Sequence, residues 1–369
     1  MALYSADQVG SFLRPAQLLA ARETAGADEL ARAEDAAIRE VLARQQACGV
    51  SIFTDGEFRR YNFMSDFTDA VEGVDTGQSA DDRYQWKQGS SAQHRASSVI
   101  GIATERLRSK RRMTGHEVPF LKANSPGPVK ITLPSATQFP ILMFQKGVTD
   151  RVYANHSALL ADIAAILAQE TAALATEGVD YIQIDAPRYS WYIDPKWREK
   201  LRVDTGMDPE AALDEAIAAD NLAFDAARAA AGGRPVTLAI HLCRGNNRGN
   251  WYAEGGYDAI AEKLFGSLRV DRFLLEYDDA RSGGFEPLRF VPKGKDVVLG
   301  LVSTKRAELE QADELVRRIR AAEAIVPLEH LAVSPQCGFA SVAEGNPVSE
   351  DVQWAKMALV ASVARTVWG

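Results

Sequence analysis

The strongest constraint on the fold is a repeated alternation of strand-like and helix-like segments along the 369-residue chain. Eight short apolar segments, most of them rich in β-branched residues, cover residues 8–11, 51–57, 129–133, 181–185, 236–243, 273–277, 297–302 and 331–334. Their near-continuous apolar runs are typical of parallel strands buried on both faces. Amphipathic patterns at residues 151–177, 208–231 and 306–322 predict helices between several of them. Repeated strand–helix alternation predicts an α/β fold of the (β/α)8 TIM-barrel type rather than a doubly wound sheet.

Residues 72–124 interrupt this alternation with a polar stretch that carries the basic run 106–112. We expect an inserted, hairpin-like excursion before the third strand, within a single catalytic domain that covers residues 1–369. The basic run is expected to be a solvated face, and attraction of an anionic substrate tail is the alternative.

Composition narrows the class of protein. The net charge of −8 argues against nucleic acid as a partner. Continuous apolar runs are shorter than the roughly 18 residues of a membrane span, and residues 1–15 lack the pattern of a secretory signal, so we expect a cytoplasmic protein. Three cysteines are too few for a disulfide scaffold and point instead to metal binding or catalysis.

Polar and metal-ligating side chains follow the predicted strands at the points where the strands end. They are Ser11, Glu57, Asp185, His241, Cys243, Glu276, Ser303 and Cys337. In a parallel barrel the carboxyl ends of the strands meet on one face, which carries the active site. The sequence therefore predicts that these side chains surround one site.

Four of these residues predict a zinc centre. His241 and Cys243 are two residues apart on one predicted strand, so their side chains point to the same side of it. Cys337 and Glu276 would join them from two other strand ends, and two thiolates, one imidazole and one carboxylate suit tetrahedral zinc. The competing interpretation is that the cysteines are small buried hydrophobes, which we expect of Cys48.

Glu57 and Asp185 allow two interpretations. Each could be structural, paired with Arg59, Arg60 or Arg188. Facing the barrel mouth, they would instead bind the ammonium group of a substrate through charge-assisted hydrogen bonds.

The motifs VGSFLRP, TDGEFRR, YIQIDAP, IHLCRGN, FLLEYDD and SPQCGF occur in this order over nearly the whole chain. Together they resemble the C-terminal catalytic barrel of cobalamin-independent methionine synthase, and still more its short single-barrel relatives. The resemblance implies Zn²⁺ held by His241, Cys243, Glu276 and Cys337. It also implies that Ser11, Glu57 and Asp185 hold the amino-acid end of homocysteine, so that Glu57, Asp185 and Glu276 are the candidate catalytic residues.

The chain departs from the family in three respects. The long enzymes have an additional N-terminal barrel that is absent from this sequence. They have a pterin-stacking tryptophan after the third strand, whereas this chain has Pro134 or Ser135 near that position. Their proton-transferring histidine after the seventh strand is replaced by Ser303, Thr304 and Lys305. The residues that would activate the thiol are retained, whereas those that stack on the pterin of methylfolate and transfer a proton to it are not.

We therefore expect a zinc-dependent S-methyltransferase, similar to the 5-methyltetrahydropteroyltriglutamate–homocysteine methyltransferases of methionine biosynthesis. Its zinc would hold the homocysteine thiol as a thiolate. The partners would be homocysteine and a methyl donor, with delivery of the methyl group by another protein left open. The alternatives are a zinc-dependent alkyltransferase that acts on another small thiol, such as an epoxide-opening enzyme, and a non-catalytic zinc-stabilised barrel.

Overall fold

The computed structural model describes residues 4–77 and 100–369. The strands within these ranges are β1 (Val71–Asp75), β2 (Ile102–Ser109), β3 (Lys130–Pro134), β4 (Tyr181–Asp185), β5 (Thr237–Leu242), β6 (Arg272–Glu276), β7 (Asp296–Val302) and β8 (Leu331–Pro335). The α-helices are α1 (Ala16–Thr24), α2 (Ala27–Cys48), α3 (Ser65–Ala70), α4 (Val118–Asn124), α5 (Pro140–Met143), α6 (His156–Thr176), α7 (Pro195–Thr205), α8 (Pro209–Ala231), α9 (Ala261–Ser267), α10 (Ala312–Glu323) and α11 (Glu350–Trp368).

Strands β3 to β8 form one parallel sheet in which the strands pair in chain order. The third to eighth predicted strands are therefore confirmed, with ends that differ from the prediction by one residue in most cases. In the register of the sheet, Asp185 lies opposite His241, and Glu276 lies opposite Gly300. This alignment brings the polar strand ends to the same edge of the sheet.

The first two predicted strands, in contrast, are not regular strands. Each neighbourhood makes a single parallel bridge to an edge of the sheet, Ala6 to Val333 of β8 and Phe53 to Val129 beside β3. Positive φ values occur at Gly10 (144°) near the end of the first predicted segment and at Glu57 (60°) at the end of the second. The two segments still contact each other, since Thr54 Oγ1 donates to the Gly10 carbonyl at 2.7 Å. The result is a barrel-like α/β fold in which β3–β8 are regular and two irregular segments lie along the edges.

The predicted excursion before the third strand begins as a hairpin. Strands β1 and β2 pair antiparallel, with an irregular register between Glu72 and Val74. Residues 78–99, the middle of the predicted excursion, lie outside the described residues. Most of the basic run is exposed, although Arg106 pairs with Asp162 at 2.9 Å and Arg112 pairs with Glu170 at 2.8 Å.

Two of the predicted helices begin directly after a residue whose side chain caps them. The Asp208 side chain accepts hydrogen bonds from two backbone N–H groups at the start of α8, with Pro209 in the first helical position. Helix α6 begins five residues later than expected, because Asn155 caps it by accepting from Ala158 N.

Helix α10 begins at Ala312 rather than at residue 306. The preceding loop is held by Glu310, which accepts hydrogen bonds from Ser303 N at 2.9 Å and from Lys356 Nζ at 2.9 Å. Leu309, which lies within the predicted helical segment 306–322, is 48% exposed in this loop.

Helix α6 is the one segment of the described chain that is long and apolar enough to cross a membrane by composition. Its most apolar window is 56% buried inside the protein, as in the core helix of a globular domain. It packs mainly against α8.

Candidate metal centre and cavity

Three of the predicted metal ligands converge at the carboxyl edge of the sheet. His241 is the penultimate residue of β5, Cys243 directly follows that strand, and Cys337 lies two residues after β8. Their ligand atoms all lie within 4.8 Å of one another, and all three side chains are buried. The alternation along β5 thus places the imidazole and the first sulfur on one side of the strand, where the second sulfur reaches them.

The surroundings of His241 fit a bound metal ion. Both of its ring nitrogens are buried and, among the residues that the structure describes, make no hydrogen bond of normal geometry, although the Cys337 sulfur lies close enough to interact with the ring. Buried polar atoms nearly always have a partner. One imidazole and two thiols are the donors that zinc prefers, and a catalytic zinc site needs three protein ligands and one open position.

The electrostatics of the group favour a thiolate. The pKa of Cys337 lies well below its usual range, mainly because the Cys243 thiol donates a hydrogen bond to it, and the charges of His241 and Lys305 add to this effect against burial. The same contact raises the pKa of Cys243. Burial would lower the pKa of His241, but the neighbouring Cys337 thiolate raises it. The thiolate is the form of cysteine that binds metals.

Glu276, predicted as the fourth ligand, lies outside this group of three because its carboxylate has other partners. Oε2 accepts from the backbone N–H of Arg244 at 2.6 Å. Oε1 accepts from Arg281 Nη2 at 2.8 Å and from Lys305 Nζ at 3.2 Å. Burial would raise the pKa of Glu276, but Lys305, Arg281 and Arg244 together lower it to about 2. Glu276 is therefore a buried carboxylate held in its charged form next to the segment that carries Cys243.

Glu57 is held at one end only. Its Oε1 accepts from Thr132 Oγ1 at 2.7 Å, and Arg60 Nη1 lies 3.8 Å away. Its Oε2 is buried and, in the described part of the chain, has no hydrogen-bond partner. The residue adopts a left-handed conformation directly after Gly56, which turns its side chain off the line of the preceding segment. Of the partners that the structural alternative names, Arg60 lies within ion-pair distance of Glu57, whereas Arg59 binds Glu34 at 3.2 Å.

Asp185 is also buried, and its Oδ1 accepts a hydrogen bond from Gln183 Nε2 at 2.8 Å. Burial raises the pKa of Asp185 to about 7, and the Glu57 carboxylate adds to the rise while His241 opposes it. Arg188, a candidate partner in the structural alternative, donates to the backbone oxygen of Gln138 at 3.1 Å.

The predicted site residues described above, apart from Glu276, line one cavity of about 400 Å³, measured with its opening to solvent. It is lined by Ser11, Glu57, Asp185, His241, Cys243 and Cys337, together with residues that the sequence did not single out, among them Phe63, Asn246 and Ser341. Asn246 lies three residues after Cys243, at the end of the IHLCRGN motif. Its Nδ2 donates to the Gly338 carbonyl at 2.9 Å, which links the loops that carry the two cysteines. That position in the motif was a signal from which its role in the site could have been inferred.

Ser135, Thr304 and Lys305, which stand where the sequence departs from the family, interact with other side chains of the protein. Ser135 Oγ donates to the Asp220 carboxylate at 2.8 Å. Thr304 Oγ1 donates to Gln336 Oε1 at 2.8 Å. Burial would lower the pKa of Lys305, but Glu276 and Asp278 raise it. Lys305 is accordingly a weaker acid than an ordinary lysine.

Comparison with known proteins places this architecture in a family. The family model described as the catalytic domain of cobalamin-independent synthase matches residues 5–359. The chain is 36% identical to the uncharacterized protein YxjH of Bacillus subtilis (strain 168), over 99% of this chain and 95% of that protein. It is 23% identical to a methionine synthase of Pyrococcus abyssi, over 81% of this chain and 74% of that protein.

A solved structure has the same fold. The B12-independent methionine synthase of Shewanella sp. W3-18-1, in complex with selenomethionine, superposes with a TM-score of 0.75 at 21% identity, covering 100% of this chain and 98% of that one. The family model spans nearly the full length and includes all the site residues described above. The resemblance seen in the sequence motifs is thus confirmed, and the chain belongs to the family of cobalamin-independent synthase catalytic domains.

Proposed function

We propose that this protein is a zinc-dependent methyltransferase that methylates the thiol of homocysteine to give methionine. The observation that carries the proposal is the shared cavity, in which a His–Cys–Cys group faces two buried carboxylates. Membership of the methionine-synthase family supports methyl transfer as the reaction class.

His241, Cys243 and Cys337 would hold the zinc, with Glu276 as the predicted fourth ligand. When bound, zinc lowers the pKa of a thiol and so supplies the nucleophile that attacks the methyl carbon. The chain's own residues fix where that thiol lies. A nucleophile held in line with a methyl group reacts far faster than one that is free to diffuse.

Ser11, Glu57 and Asp185 would hold the amino-acid end of the substrate. Within the described residues Glu57 Oε2 has no hydrogen-bond partner, and Asp185 accepts a hydrogen bond from the Gln183 amide, so both carboxylates can accept from an ammonium group. Desolvation of two neighbouring carboxylates is offset when a cation lies between them. The same two charges repel a sulfonate, so they favour homocysteine over a sulfonated thiol as the substrate.

The methyl donor would come from a small molecule or from a protein that delivers the methyl group. We propose that the enzyme is cytoplasmic and that residues 1–369 act as one catalytic domain. A purely structural zinc is a weaker proposal, because a barrel of this size does not need a metal in order to fold.

Metal analysis of protein purified without chelators tests the proposal. We expect about one zinc per chain, and loss of most of it in Cys243→Ser and in Cys337→Ser, because each removes one of three converging ligands. Cys48→Ser is the matched control and should retain the metal, since Cys48 lies on α2 with its sulfur toward the Trp354 carbonyl. Full zinc content in both site variants would refute the ligand assignment.

A further inference from the structure

A cluster of buried charges lies at the amino ends of the strands, at the opposite end of the sheet from the cavity. Lys130, Tyr181 and Arg272 are the first residues of β3, β4 and β6. All three contact the carboxylate of Asp7, through Lys130 Nζ at 2.6 Å, Tyr181 Oη at 3.0 Å and Arg272 Nη1 at 3.0 Å. Each of the four side chains is at most 1% exposed. Because a buried charge is costly unless it is paired, these groups hold one another in place.

Gln183 connects this cluster to the cavity. It lies between Tyr181 and Asp185 on one face of β4, because side chains two residues apart point to the same side of a strand. Its Oε1 accepts from Lys130 Nζ at 3.0 Å. Its Nε2 donates to the Asp185 carboxylate at 2.8 Å and to the Val9 carbonyl at 2.6 Å. One end of the amide is therefore bound to the cluster, and the other end to the residues of the cavity.

Lys130 determines which way the Gln183 amide faces. A lysine ammonium only donates hydrogen bonds, whereas a glutamine amide has one accepting end and one donating end. The ammonium therefore requires Oε1 toward itself, and this directs Nε2 toward Asp185 and Val9. The reversed amide would place its oxygen against a carboxylate and a carbonyl, which leaves three acceptors without a donor between them.

The same two side chains hold the N-terminal segment that carries Ser11. This segment pairs with β8 through one isolated bridge. Beyond the bridge, Lys130 Nζ donates to the Gln8 carbonyl at 2.5 Å, and Gln183 donates to the next carbonyl along the chain. Two residues later the chain reaches Ser11, which lines the cavity together with Asp185. Lys130 and Gln183 thus contact both of the segments that bring these residues together.

We propose that Gln183 and Lys130 are positioning residues for the amino-acid head of homocysteine. Gln183 fixes Asp185 relative to the segment of Ser11, and Lys130 keeps the amide in the orientation that does so. The inference rests on the proposed function, in which Ser11 and Asp185 bind that head. Neither Gln183 nor Lys130 lines the cavity in the described part of the chain, so both act on the substrate through the residues that do. A site that is already held in its bound geometry binds more tightly, because less ordering is required on binding.

A comparison of two thiols separates this role from general damage to the fold. Homocysteine has the amino-acid head, whereas propanethiol has only the thiol that the zinc would bind. We expect Gln183→Met to bind homocysteine about tenfold more weakly, because it loses a hydrogen bond to a charged group and one to a carbonyl. Its affinity for propanethiol and its zinc content should stay at the wild-type level. Calorimetry on the zinc-loaded protein measures both affinities.

Asn221→Leu is the matched control. It also removes a fully used buried amide, whose Nδ2 donates to the Ser267 carbonyl at 2.9 Å and whose Oδ1 accepts from Arg269 N at 2.7 Å. These contacts join α8 to the loop before β6, away from the cavity. The variant should lose stability without changing the affinity for either thiol.

The role of Lys130 is tested with the charge of the cluster kept in balance. Asp7→Asn combined with Lys130→Met removes one negative and one positive charge together, which leaves neither unpaired. Arg272 keeps its ion pair with Asp296 at 3.0 Å. We expect homocysteine to bind about threefold to tenfold more weakly and propanethiol as in the wild type. Adding Gln183→Met should weaken homocysteine binding little further, because residues that act through one amide are not additive.

The inference is overturned if Gln183→Met prefers homocysteine over propanethiol as strongly as the wild type does, or if it loses affinity for both thiols by the same factor. Wild-type homocysteine affinity in the Asp7→Asn, Lys130→Met protein would overturn the part assigned to Lys130. A wild-type protein that binds no zinc, or that binds homocysteine no better than propanethiol, would overturn the proposed function itself. The two failures are therefore distinguishable.

Discussion

At the scale of single residues, the cavity contains two carboxylates with few protein partners. Asp185 accepts one amide hydrogen bond, and Glu57 has one oxygen without a partner in the described part of the chain. A carboxyl group in this state is poorly stabilised as an anion, which is why burial raises the pKa of Asp185 to about 7. A substrate ammonium would supply the missing positive charge.

Replacing Asp185 by Asn tests this role. The amide keeps the shape of the side chain but loses the charge, so we expect homocysteine binding to weaken by roughly 1.5–3 kcal/mol, the range for a hydrogen bond to a charged group. Calorimetry on the zinc-loaded protein measures the change, and zinc content should be unaffected. Asp208→Asn, at the start of α8, is the control and should bind homocysteine normally. Wild-type affinity in Asp185→Asn would rule out the role.

At the scale of elements, the excursion before β3 supports the site through its last turn. Glu117, directly before α4, binds Arg60 through both carboxylate oxygens at 2.7 Å each. Arg60 in turn donates to Thr132 Oγ1 at 3.0 Å, and this hydroxyl holds Glu57. The inserted segment thus fixes a cavity residue through two side chains that do not themselves line the cavity.

Breaking the buried Arg60–Glu117 pair should be costly. Glu117→Gln leaves the Arg60 charge without its partner, so we expect a loss of about 3–5 kcal/mol in the free energy of unfolding, as for other buried pairs with one member removed. Urea denaturation measures the loss. Arg106→Gln breaks the exposed Arg106–Asp162 pair of the same excursion and should cost less than about 1 kcal/mol. Equal effects in the two variants would contradict the proposed importance of the buried pair.

A second link between elements joins the loops after β3 and β4 to α8. Asp220 accepts hydrogen bonds from Ser135 Oγ at 2.8 Å and from Tyr189 Oη at 3.0 Å. Burial nevertheless raises its pKa to about 6. Because this pKa lies above the unfolded value of about 3.9, the native state binds more protons between these limits.

The contribution of Asp220 to stability should therefore be complete below about pH 4 and be lost as the pH rises through about 6, by at most about 3 kcal/mol. Asp220→Asn removes this titration and should show a flatter dependence of the free energy of unfolding on pH. The comparison with wild type at pH 4.5 and pH 7 isolates Asp220 from other buried carboxyl groups. Parallel pH profiles for the two proteins would show that Asp220 does not titrate in this range.

At the scale of the whole molecule, the two halves of the family's reaction differ in how well this chain supports them. The residues proposed to bind zinc and homocysteine, His241, Cys243, Cys337, Ser11, Glu57 and Asp185, line one cavity. On the donor side, Ser135 is bound to Asp220 and Lys305 is bound to Glu276, so neither supplies a stacking surface or an effective acid. A pterin nitrogen that loses a methyl group needs a proton from an acid with a pKa near the working pH.

We therefore expect free methyltetrahydrofolate to be a poor methyl donor for this enzyme. A donor with a better leaving group, or one delivered by a protein, should be faster by about tenfold or more, which corresponds to roughly 1.4 kcal/mol in the barrier. Turnover of homocysteine with a matrix of donors measures the difference. Steady turnover near about 10 per second with methyltetrahydrofolate alone would contradict the expectation.

The sequence by itself determined the features that depend on local periodicity. The apolar runs of β3–β8 predicted parallel strands, and the residues at their ends could be placed on one face because parallel strands end at a common edge. His241 and Cys243 could be assigned to one side of β5 for the same kind of reason, since side chains alternate along a strand.

Only the tertiary structure decided which polar groups meet beyond those strand ends. Glu276 receives Lys305 from 29 residues away, and Arg60 meets Glu117 across 57 residues. The first two segments likewise make single isolated bridges to the sheet rather than regular ladders, a difference that their apolar runs do not indicate. The spacing of apolar residues in the sequence indicates which face of a helix or strand is buried. The pairing of buried charges depends instead on side-chain packing between elements that are distant in the chain.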